Sequence, residues 1–433
     1  MTIKSQKNKG RIDFKSGVSN VLFKKVDGHC SVPRCKKPAM GPYNYGAVNM
    51  GVACHIYSAS EKGPRGRGGK DEAFISSEKN GIWCCSYHAS LIDKNVGRDY
   101  PANVLFAWKA LAEARVLKQM NDEPSPLGWI ESIEFTSFPT LSKLPKINLF
   151  KCTLLTGKNG SGKTSILAAA ASISNSCFAD RFDGVKKRGV DETLYPVTFS
   201  AKVTYTTVDT LEKEVCLDIT GTTLTRRVNM RDCLLPPGDL EVIYWSTSDF
   251  KRQDDEDDVD YFMRVLNIDR SALFAMAKIG ATTVIRGTID VVQEHIYDEE
   301  EDREVPKYKE NRKPYYNLRL KKVEDKASHC YEALSGGEKD LLIIDLLISK
   351  AREICKERLT LLLIDDLAYN LDQSNFEILL RALAKEDFQS IVSLPPAKER
   401  EIITYKENNP SLNDLDYLRE WCLAVLASSE SVP

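Results

Sequence analysis

The residues best suited to chemistry form one glycine-rich string, Gly157-Lys158-Asn159-Gly160-Ser161-Gly162-Lys163-Thr164. It matches the pattern G-x-x-x-x-G-K-[S/T], follows an apolar run (152–156) and precedes an Ala-rich run (165–171). In a strand–loop–helix context such a string surrounds nucleotide phosphates with backbone N–H groups. Its Lys supplies a positive charge and its Thr a hydroxyl for Mg²⁺. The string therefore predicts a site for ATP and a magnesium ion.

A second set of motifs lies nearer the C-terminus. Leu334-Ser335-Gly336-Gly337-Glu338 precedes an apolar helical run, and a later apolar run (361–364) ends in Asp365 and Asp366. Asn370-Leu371-Asp372 follows. A Ser-Gly-Gly turn at the start of a helix exposes N–H groups, which favours an anion.

The order of these motifs resembles the ABC-type ATPases, and within them the SMC-like branch of DNA repair and anti-phage defence. The resemblance covers about residues 130–400 and implies ATP held between two copies of the chain. The residues implied to contact the ATP of the other copy are Ser335, Gly336, Gly337 and Glu338. Asp365 is implied to order Mg²⁺ through water, and Asp366 to polarise the attacking water. The family usually carries Glu at the position of Asp366, so we expect slow turnover. It also has a histidine near 391–395, where this chain offers only Ser393.

The predicted fold of residues 130–433 is an α/β ABC-type ATPase head, with a mixed sheet, helices and an antiparallel β part. Alternating runs at 196–208 and 213–219 predict antiparallel strands. The run 415–427 predicts an amphipathic helix packed on the head. Two acidic runs, 254–258 and 298–302, are interpreted as solvated loops.

Cysteine and histidine spacing predicts a metal site in the N-terminal part. Cys30 and Cys35 flank a Pro-containing turn, and Cys85 and His88 form a C-x-x-H pair. Two short-spaced pairs suit a tetrahedral structural Zn²⁺. The alternatives are buried free cysteines, or Cys84 in the place of Cys85.

The segments around this metal site, with the strings 51–56 and 80–84 and a short helix ending in Leu91-Ile92-Asp93, resemble the HNH endonucleases of the ββα-metal fold. The resemblance covers about residues 22–115. It implies that His55 is a general base, that Asn80 orients His55 or its loop, and that Asp93 holds Mg²⁺ or Mn²⁺ against a phosphate.

Two further features of this part bear on cleavage. Arg65 and Arg67, on a Gly-rich loop, are predicted to bind phosphates. Cys54 and Ala89 stand where many members of the family carry metal ligands. A domain that only binds nucleic acid is therefore the alternative.

Charge separates the chain into two parts. Residues 1–125 hold 20 Lys and Arg against 11 Asp and Glu, whereas the whole chain of 433 residues has a net charge of −2. A basic domain on an acidic body predicts a polyanionic partner. The predicted organisation is a basic flexible arm (1–20), a zinc-holding HNH-like domain (21–120), a linker (121–129) and the ATPase head (130–433). No apolar run approaches the ~18 residues of a membrane span, and no secretory signal is recognised, so we expect a cytoplasmic protein with no membrane partner.

Together these features predict an ATP-regulated nuclease that cleaves DNA, with ATP, Mg²⁺ or Mn²⁺, and Zn²⁺ as cofactors. Its heads are expected to form a homodimer around ATP, and a higher oligomer is left open. The expected setting is bacterial anti-phage defence, by resemblance to Septu-type and some retron systems. The alternatives are an ATP-dependent DNA clamp that recruits another effector, and a nuclease directed at tRNA.

Overall fold

The chain folds into a small N-terminal domain attached to a larger α/β head. The computed structural model describes residues 10–35, 37, 39–43, 46–121, 125–138, 141, 143–158, 160–188, 193–246, 252–254, 256–279, 282–299, 302–365, 371–394, 398–402, 404 and 416–426.

The described residues of the N-terminal domain form four α-helices and four strands. The helices are α1 (Val18–Lys25), α2 (Glu72–Ile75), α3 (Ser86–Leu91) and α4 (Ala102–Asn121). The strands are β1 (Met40–Tyr43), β2 (Gly46–Asn49), β3 (Gly51–His55) and β4 (Gly81–Cys85). β3 and β4 pair antiparallel, with His55 opposite Gly81, and α3 follows directly. β3, β4 and α3 thus form a ββα unit, in which the end of β3 lies beside the start of β4.

The long helix α4 joins this domain to the head. Its buried residues are spaced by three or four, which gives a helix one apolar face. On that face the indole of Trp108 lies edge-on against Trp129 of the head, with ring centroids 5.8 Å apart. Of the predicted linker 121–129, Asn121 ends α4 and Gly128 begins the next strand, while residues 122–124 lie outside the described part.

The two largest sheets of the head lie on either side of one helix. The antiparallel sheet has the order β13-β12-β11-β10-β5-β6 and the parallel sheet the order β14-β20-β21-β7-β22. The strands of the antiparallel sheet are β5 (Gly128–Ser137), β6 (Lys146–Asn148), β10 (Thr198–Thr207), β11 (Lys213–Thr220), β12 (Thr223–Val228) and β13 (Arg231–Cys233). Those of the parallel sheet are β7 (Cys152–Gly157), β14 (Leu240–Ser246), β20 (Leu359–Asp365), β21 (Gln389–Ser393) and β22 (Cys422–Leu426).

Helices cover both faces of the parallel sheet. Successive residues of its strands point to opposite faces, so Leu154 belongs to one hydrophobic cluster and Leu155 to the other. Helix α5 (Lys163–Ala171) fills the space between the two sheets. The opposite face is covered by α6 (Asp258–Leu266), α7 (Arg270–Ile279), α8 (Gly336–Ile354) and α9 (Gln373–Leu383). The predicted α/β head with an antiparallel part is therefore present.

The remaining strands form small sheets at the edge of the head. They are β8 (Lys186–Arg188) paired with β9 (Leu194–Pro196), β16 (His295–Asp298) paired with β17 (Arg303–Pro306), and a three-stranded sheet of β15 (Gly287–Gln293), β18 (Tyr316–Lys322) and β19 (His329–Cys330).

The prediction of an amphipathic helix over 415–427 is wrong. Residues 422–426 are strand β22, which pairs parallel with β7 so that Leu426 lies opposite Gly157. The run is short, and pairing with a buried strand decides its conformation over the local periodicity. The chain therefore returns to the phosphate loop.

The end of the first acidic run differs from the predicted solvated loop, although Asp254 is exposed. Asp257 and Asp258 are 0% and 2% exposed. Asp257 caps α6 and accepts a hydrogen bond from the Tyr316 N–H at 3.0 Å, and Asp258 accepts one from the Leu318 N–H at 2.7 Å. The partners lie about sixty residues later in the chain, which local sequence cannot indicate. The second acidic run lies at the turn between β16 and β17, as predicted for a loop, with residues 300–301 outside the described part.

None of the helices in the described part of the chain is both long enough and apolar enough to span a membrane.

Candidate functional site

The phosphate loop joins the buried strand β7 to helix α5. Gly160 and Gly162 have φ of 81° and 88°, in the left-handed region that favours glycine. The Lys163 ammonium donates to the Gly157 carbonyl and so stays at the loop. The buried Ser161 hydroxyl has no hydrogen-bond partner among the described residues. Asn159, also predicted to contact ATP, lies outside the described part. The backbone thus forms an open cradle at the start of a helix, as an anion requires.

Asp365 ends strand β20 in the same sheet, and it is fully buried. The Tyr244 hydroxyl of β14 donates a hydrogen bond to Asp365 Oδ2 at 3.3 Å. Because β20 and β7 are parallel strands of one sheet, Asp365 and the phosphate loop lie at the same edge. Asp366, the predicted water-polarising residue, and Asn370 lie outside the described residues. Ser393 ends β21 between those two strands, and its buried hydroxyl has no partner among the described residues.

Ser335 caps the start of helix α8. Its hydroxyl and backbone N–H both donate to Glu338 Oε2, each at 2.8 Å. The Lys322 ammonium beside Glu338, together with these hydrogen bonds from Ser335, lowers the pKa of that carboxyl to about 2. Among the described residues, no hydrogen bond joins Ser335 or Glu338 to the phosphate loop of the same chain. Gly336 and Gly337 form the first turn of α8, so the predicted anion-binding residues lie at a capped helix start.

The four predicted zinc ligands come together. The ligand atoms of Cys30, Cys35, Cys85 and His88 all lie within 4.8 Å of one another, and no other such group of three or more occurs in the described part of the chain. His88 Nδ1 is 3.3 Å from Cys85 Sγ and 3.5 Å from Cys30 Sγ. Three sulfurs and one imidazole nitrogen fit a tetrahedral zinc ion.

Cys84 is not part of this cluster but supports it. A hydrogen bond from the Cys84 thiol lowers the pKa of Cys30 to about 3, with a smaller contribution from His88. The geometry favours Cys85 over the alternative Cys84, because the ligand atoms that lie within 4.8 Å of one another include Cys85 and not Cys84.

Asn80 holds the backbone that follows His55. Its side chain is fully buried, accepts a hydrogen bond from the Tyr57 N–H at 2.8 Å and donates to the Tyr57 carbonyl at 2.9 Å. A further bond reaches the Ile75 carbonyl at 3.2 Å. Asn80 therefore fixes the loop after His55 and does not contact the imidazole.

Asp93 and His55 line one open cleft of about 570 Å³, together with Cys54 and Ala89. Asp93 does not stand free, because its Oδ1 accepts a hydrogen bond from Arg65 Nη2 at 2.6 Å. The cleft thus brings together one imidazole and one carboxylate that is already paired.

The prediction that Arg65 binds a phosphate is wrong. The Arg65 side chain is only 5% exposed and, besides Asp93, donates to the carbonyls of Ile56 and Ile92, each at 2.7 Å. A guanidinium has five N–H groups in a fixed fork, which suits it to joining backbone segments. Arg67 donates to the Gly10 carbonyl at 2.6 Å, and its Nε has no hydrogen-bond partner among the described residues.

The N-terminal segment covers His55. The ring of Phe14 is stacked on the imidazole, with centroids 3.7 Å apart and planes 5° from parallel. The buried His55 Nε2 has no hydrogen-bond partner among the described residues. Burial lowers the pKa of His55, and the positive charge of Arg11 lowers it further.

A polar contact ties the two domains together at the start of strand β7, the end of the strand away from the phosphate loop. Asn103, in the first turn of α4, donates from its N–H to Glu420 Oε2 at 3.3 Å and from Nδ2 to the Glu420 carbonyl at 3.0 Å. The same Nδ2 is 3.9 Å from the sulfur of Cys152, the first residue of β7. The N-terminal domain is therefore anchored on the strand that leads to the phosphate loop.

Three of these functional contacts were not predicted, namely those of Phe14, Tyr244 and Glu420. Only Phe14 has a signal in the sequence, because it is an aromatic residue within a basic segment. Tyr244 and Glu420 stand in ordinary strand and loop contexts, where only the fold shows their partners.

Comparison with known proteins gives no family. No model of a known protein family matches the chain, and no curated protein matches it. Among solved structures, the chain is similar to an Smc head bound to the C-terminal winged-helix domain of ScpA, at 16% identity and a TM-score of 0.42, covering 63% of this chain and 91% of that one.

Two further solved structures are similar at the same level. The SMC head domain from Thermotoga maritima has 16% identity and a TM-score of 0.36, over 63% of this chain and 91% of that chain. The recombination mediator RecF with ATP has 15% identity and a TM-score of 0.39, over 62% and 93%. Similarity at this level carries no argument about what the chain binds.

Proposed function

We propose that this chain is an ATPase whose head pairs with a second copy across bound ATP, and whose basic, zinc-holding domain binds DNA. The observation that carries the proposal is the phosphate loop, in which left-handed glycines and Lys163 form an open anion cradle between β7 and α5. Charge and helix geometry both favour a triphosphate there.

The residues present fit a magnesium ion beside the triphosphate. Thr164 and Asp365 would hold it, since a hydroxyl and a carboxylate are the hard oxygen donors that Mg²⁺ prefers. When bound, the ion neutralises phosphate charge. Tyr244 fixes the Asp365 carboxylate by donating to one of its oxygens. Asp366 follows directly in the sequence and is proposed to polarise the attacking water.

Pairing of two heads follows from the position of Ser335. The start of α8 is capped and has no hydrogen bond to the phosphate loop of its own chain among the described residues. An exposed helix start attracts an anion. ATP held by the loop of a second copy would supply that anion, so nucleotide would join the two heads.

The zinc-holding domain is proposed to be the part that meets DNA. Residues 1–125 carry 20 basic against 11 acidic residues, and phosphate neutralisation by Lys and Arg dominates binding to DNA. The domain is anchored through Asn103 to Glu420 and to the strand before the phosphate loop. Zinc at Cys30, Cys35, Cys85 and His88 would brace it.

DNA cleavage at His55 is the second candidate function. The observation that favours it is the cleft of about 570 Å³ in which His55 and Asp93 meet beside the ββα unit. An imidazole with a lowered pKa is neutral near pH 7 and can accept a proton from water.

The residues of this cleft do not fit a divalent metal ion, however. Asp93 is paired with Arg65, Ala89 offers no ligand, and no group of three ligands forms there among the described residues. No step is therefore assigned to Mg²⁺ or Mn²⁺ in the cleft.

One set of measurements tests both functions. Plasmid DNA is incubated with the purified protein, with and without ATP and with Mg²⁺, Mn²⁺ or no metal, and is followed by gel shift and by cleavage. The proposal requires salt-sensitive DNA binding that responds to ATP in the wild type and does not respond in Lys163→Ala. Binding that is indifferent to ATP in both proteins contradicts it.

Cleavage is tested on the same samples. Cutting that is lost in His55→Ala, with ATP binding retained, supports the second candidate, and intact plasmid in all conditions contradicts it. A parallel incubation with tRNA separates a DNA target from an RNA target. Phage plaque counts on cells with wild-type protein and with Lys163→Ala test the proposed role in defence.

A further inference from the structure

The segment of residues 10–17, called here the strap, lies across the domain that contains the His55 cleft. It is hydrogen bonded at three places. The Ile12 N–H donates to the Ala59 carbonyl at 2.8 Å, the Lys15 N–H donates to the Ser76 carbonyl at 3.0 Å, and Arg67 donates to the Gly10 carbonyl at 2.6 Å. The strap therefore follows a defined path, although the sequence assigns it to a flexible arm.

The strap closes over the imidazole on two sides. Phe14 covers one face of the ring at 3.7 Å, and a backbone group of Ile12 interacts with the ring. Phe14 itself packs against the small cluster of Leu22 and Trp83. His55 Nε2 is left buried with no hydrogen-bond partner among the described residues.

A general base must reach the water whose proton it takes, at about 2.6–3.2 Å. The buried Nε2 does not offer that access in this structure, in which Phe14 lies on the ring. A buried polar nitrogen without a partner is also unfavourable in itself, because it has lost its hydrogen bond to water. In the covered state His55 is thus inactive. The unpaired nitrogen destabilises this state, and removal of the strap would relieve that destabilisation.

The strap is held lightly enough to be removed. Its polar side chains face the solvent, since Arg11 and Asp13 are 60% and 74% exposed at the side chain, and the two form an ion pair at 2.8 Å. Arg11 also lines the cleft, next to the space that a nucleic acid backbone would enter. Its charge, with that of Lys15, is complementary to phosphate.

We propose that the strap is a removable cover that keeps the His55 site closed until DNA phosphates draw it off the imidazole. This rests on the proposed DNA-directed function of the domain. The cover couples substrate arrival to exposure of the base, so that free protein does not present an active imidazole.

Chemical access to His55 tests the cover without any nuclease assay. The full-length wild type and Phe14→Ala are treated with diethyl pyrocarbonate, and the modification rates of His55 and of the exposed His29 are compared by mass spectrometry. We expect His55 to react much more slowly than His29 in the wild type, and about tenfold faster in Phe14→Ala. Equal rates for His55 and His29 in the wild type, or no acceleration in Phe14→Ala, overturn the proposal.

Phe23→Ala is the matched control. Phe23 belongs to the same cluster and packs edge-on against Trp83 at 5.5 Å, but it does not cover His55. The control should leave the His55 rate near that of the wild type. Acceleration equal to that of Phe14→Ala would show general loosening of the domain and would overturn the specific role of Phe14.

Hydrogen exchange tests the opening by DNA. A short duplex added to the wild type should raise deuterium uptake in a peptide spanning residues 10–17, because the Ile12 and Lys15 amides lose their carbonyl partners. Unchanged or lower uptake under conditions in which a gel shift shows binding overturns this step.

Cleavage measured on the same Phe14→Ala protein separates the two hypotheses. Faster cutting supports both the cover and the nuclease function. A raised His55 reaction rate with no cutting leaves the cover standing and refutes the nuclease function. A raised reaction rate with slower cutting than the wild type overturns the cover, since Phe14 would then position the base.

Discussion

The Arg65 guanidinium donates to Asp93 Oδ1 at 2.6 Å and at the same time to the carbonyls of Ile56 and Ile92. The carboxylate predicted from the sequence to hold a metal ion is therefore part of an internal scaffold. Asp93 neutralises the buried Arg65 guanidinium, which joins the end of β3 to the end of α3 through its hydrogen bonds. Its first role in this chain is structural.

Asp93→Asn is expected to destabilise the N-terminal domain by about 1–2 kcal/mol. The amide keeps an acceptor for Arg65 but leaves the buried guanidinium without its counter-charge, and the half-exposed position of Asp93 keeps the cost modest. Thermal unfolding and hydrogen exchange over residues 51–100 measure the effect. Asp99→Asn, which changes an exposed carboxylate beside Asn95, is the control and should be neutral. Unchanged stability, with Mn²⁺ binding lost in electron paramagnetic resonance, would make Asp93 a metal ligand instead.

The zinc cluster predicts different effects for substitutions of the adjacent residues Cys84 and Cys85. Purified wild-type protein should contain about one zinc ion per chain. Cys85→Ser should lose most of it and unfold the domain at a lower temperature, because Cys85 contributes one of the four ligand atoms. Cys84→Ser should keep the metal, since Cys84 only donates a hydrogen bond to Cys30. Elemental analysis of the two variants decides the matter, and equal zinc loss would refute the ligand assignment.

The sequence predicted the elements whose signals are local. The strand before the phosphate loop, helix α5 and strands β10 and β11 are all predicted from apolar or alternating runs and glycine positions, and the zinc ligands from their paired spacing. These features can be predicted from neighbouring residues along the chain or from a strict spacing of ligand residues.

Features that depend on distant partners were missed or misread. Residues 422–426 form a strand because they pair with the buried strand β7. Asp257 and Asp258 are buried because they accept hydrogen bonds from backbone N–H groups of β18. Arg65 was read as a phosphate ligand because a Gly-rich loop with Arg is typical of one. Only the fold shows that its N–H groups are occupied by the carbonyls of Ile56 and Ile92, which lie 9 and 27 residues away in the chain.

Pairing of two heads is expected to depend on Ser335. In an Asp366→Asn background, which should slow hydrolysis, ATP should convert monomer to dimer. Adding Ser335→Arg should keep the protein monomeric, because a long cationic side chain replaces the cap where the second ATP would sit. Multi-angle light scattering measures the mass. Lys163→Ala should also stay monomeric, since it lacks bound nucleotide. An ATP-dependent dimer of the Ser335→Arg protein would refute contact across the pair.

Tyr244→Phe is expected to weaken the response to magnesium while ATP binding is kept. The variant removes the hydroxyl that donates to Asp365 and leaves the ring against Phe178. Losing one hydrogen bond to a carboxylate should raise the Mg²⁺ concentration for half-maximal ATPase activity by roughly three- to tenfold. Tyr205→Phe is the control, because its hydroxyl donates to Asp239 at 2.9 Å, away from the nucleotide site. Equal magnesium curves for wild type and Tyr244→Phe would show that Tyr244 does not position Asp365.

Glu420→Gln is expected to stabilise the junction between the two domains at neutral pH. Burial raises the pKa of Glu420 above its ordinary value of 4.5, although the Asn103 N–H and Arg419 act in the opposite direction. The folded chain thus binds the Glu420 proton more tightly than the unfolded chain, and stability falls as the pH rises above 4.5 through the folded-state pKa. Glutamine keeps an acceptor for Asn103 without carrying a charge.

The gain in melting temperature should therefore be roughly 1–3 °C at pH 7.5 and should shrink as the pH is lowered toward 4.5, where Glu420 itself becomes protonated. Differential scanning calorimetry of both proteins across this range measures it. The Glu420 carboxylate lies at the start of α4, where the helix dipole favours negative charge. We expect the free energy that the carboxylate loses on leaving water to exceed the free energy that it gains from the helix. A variant less stable than the wild type at pH 7.5 would show that the ionised Glu420 holds the two domains together, and that the helix start outweighs burial.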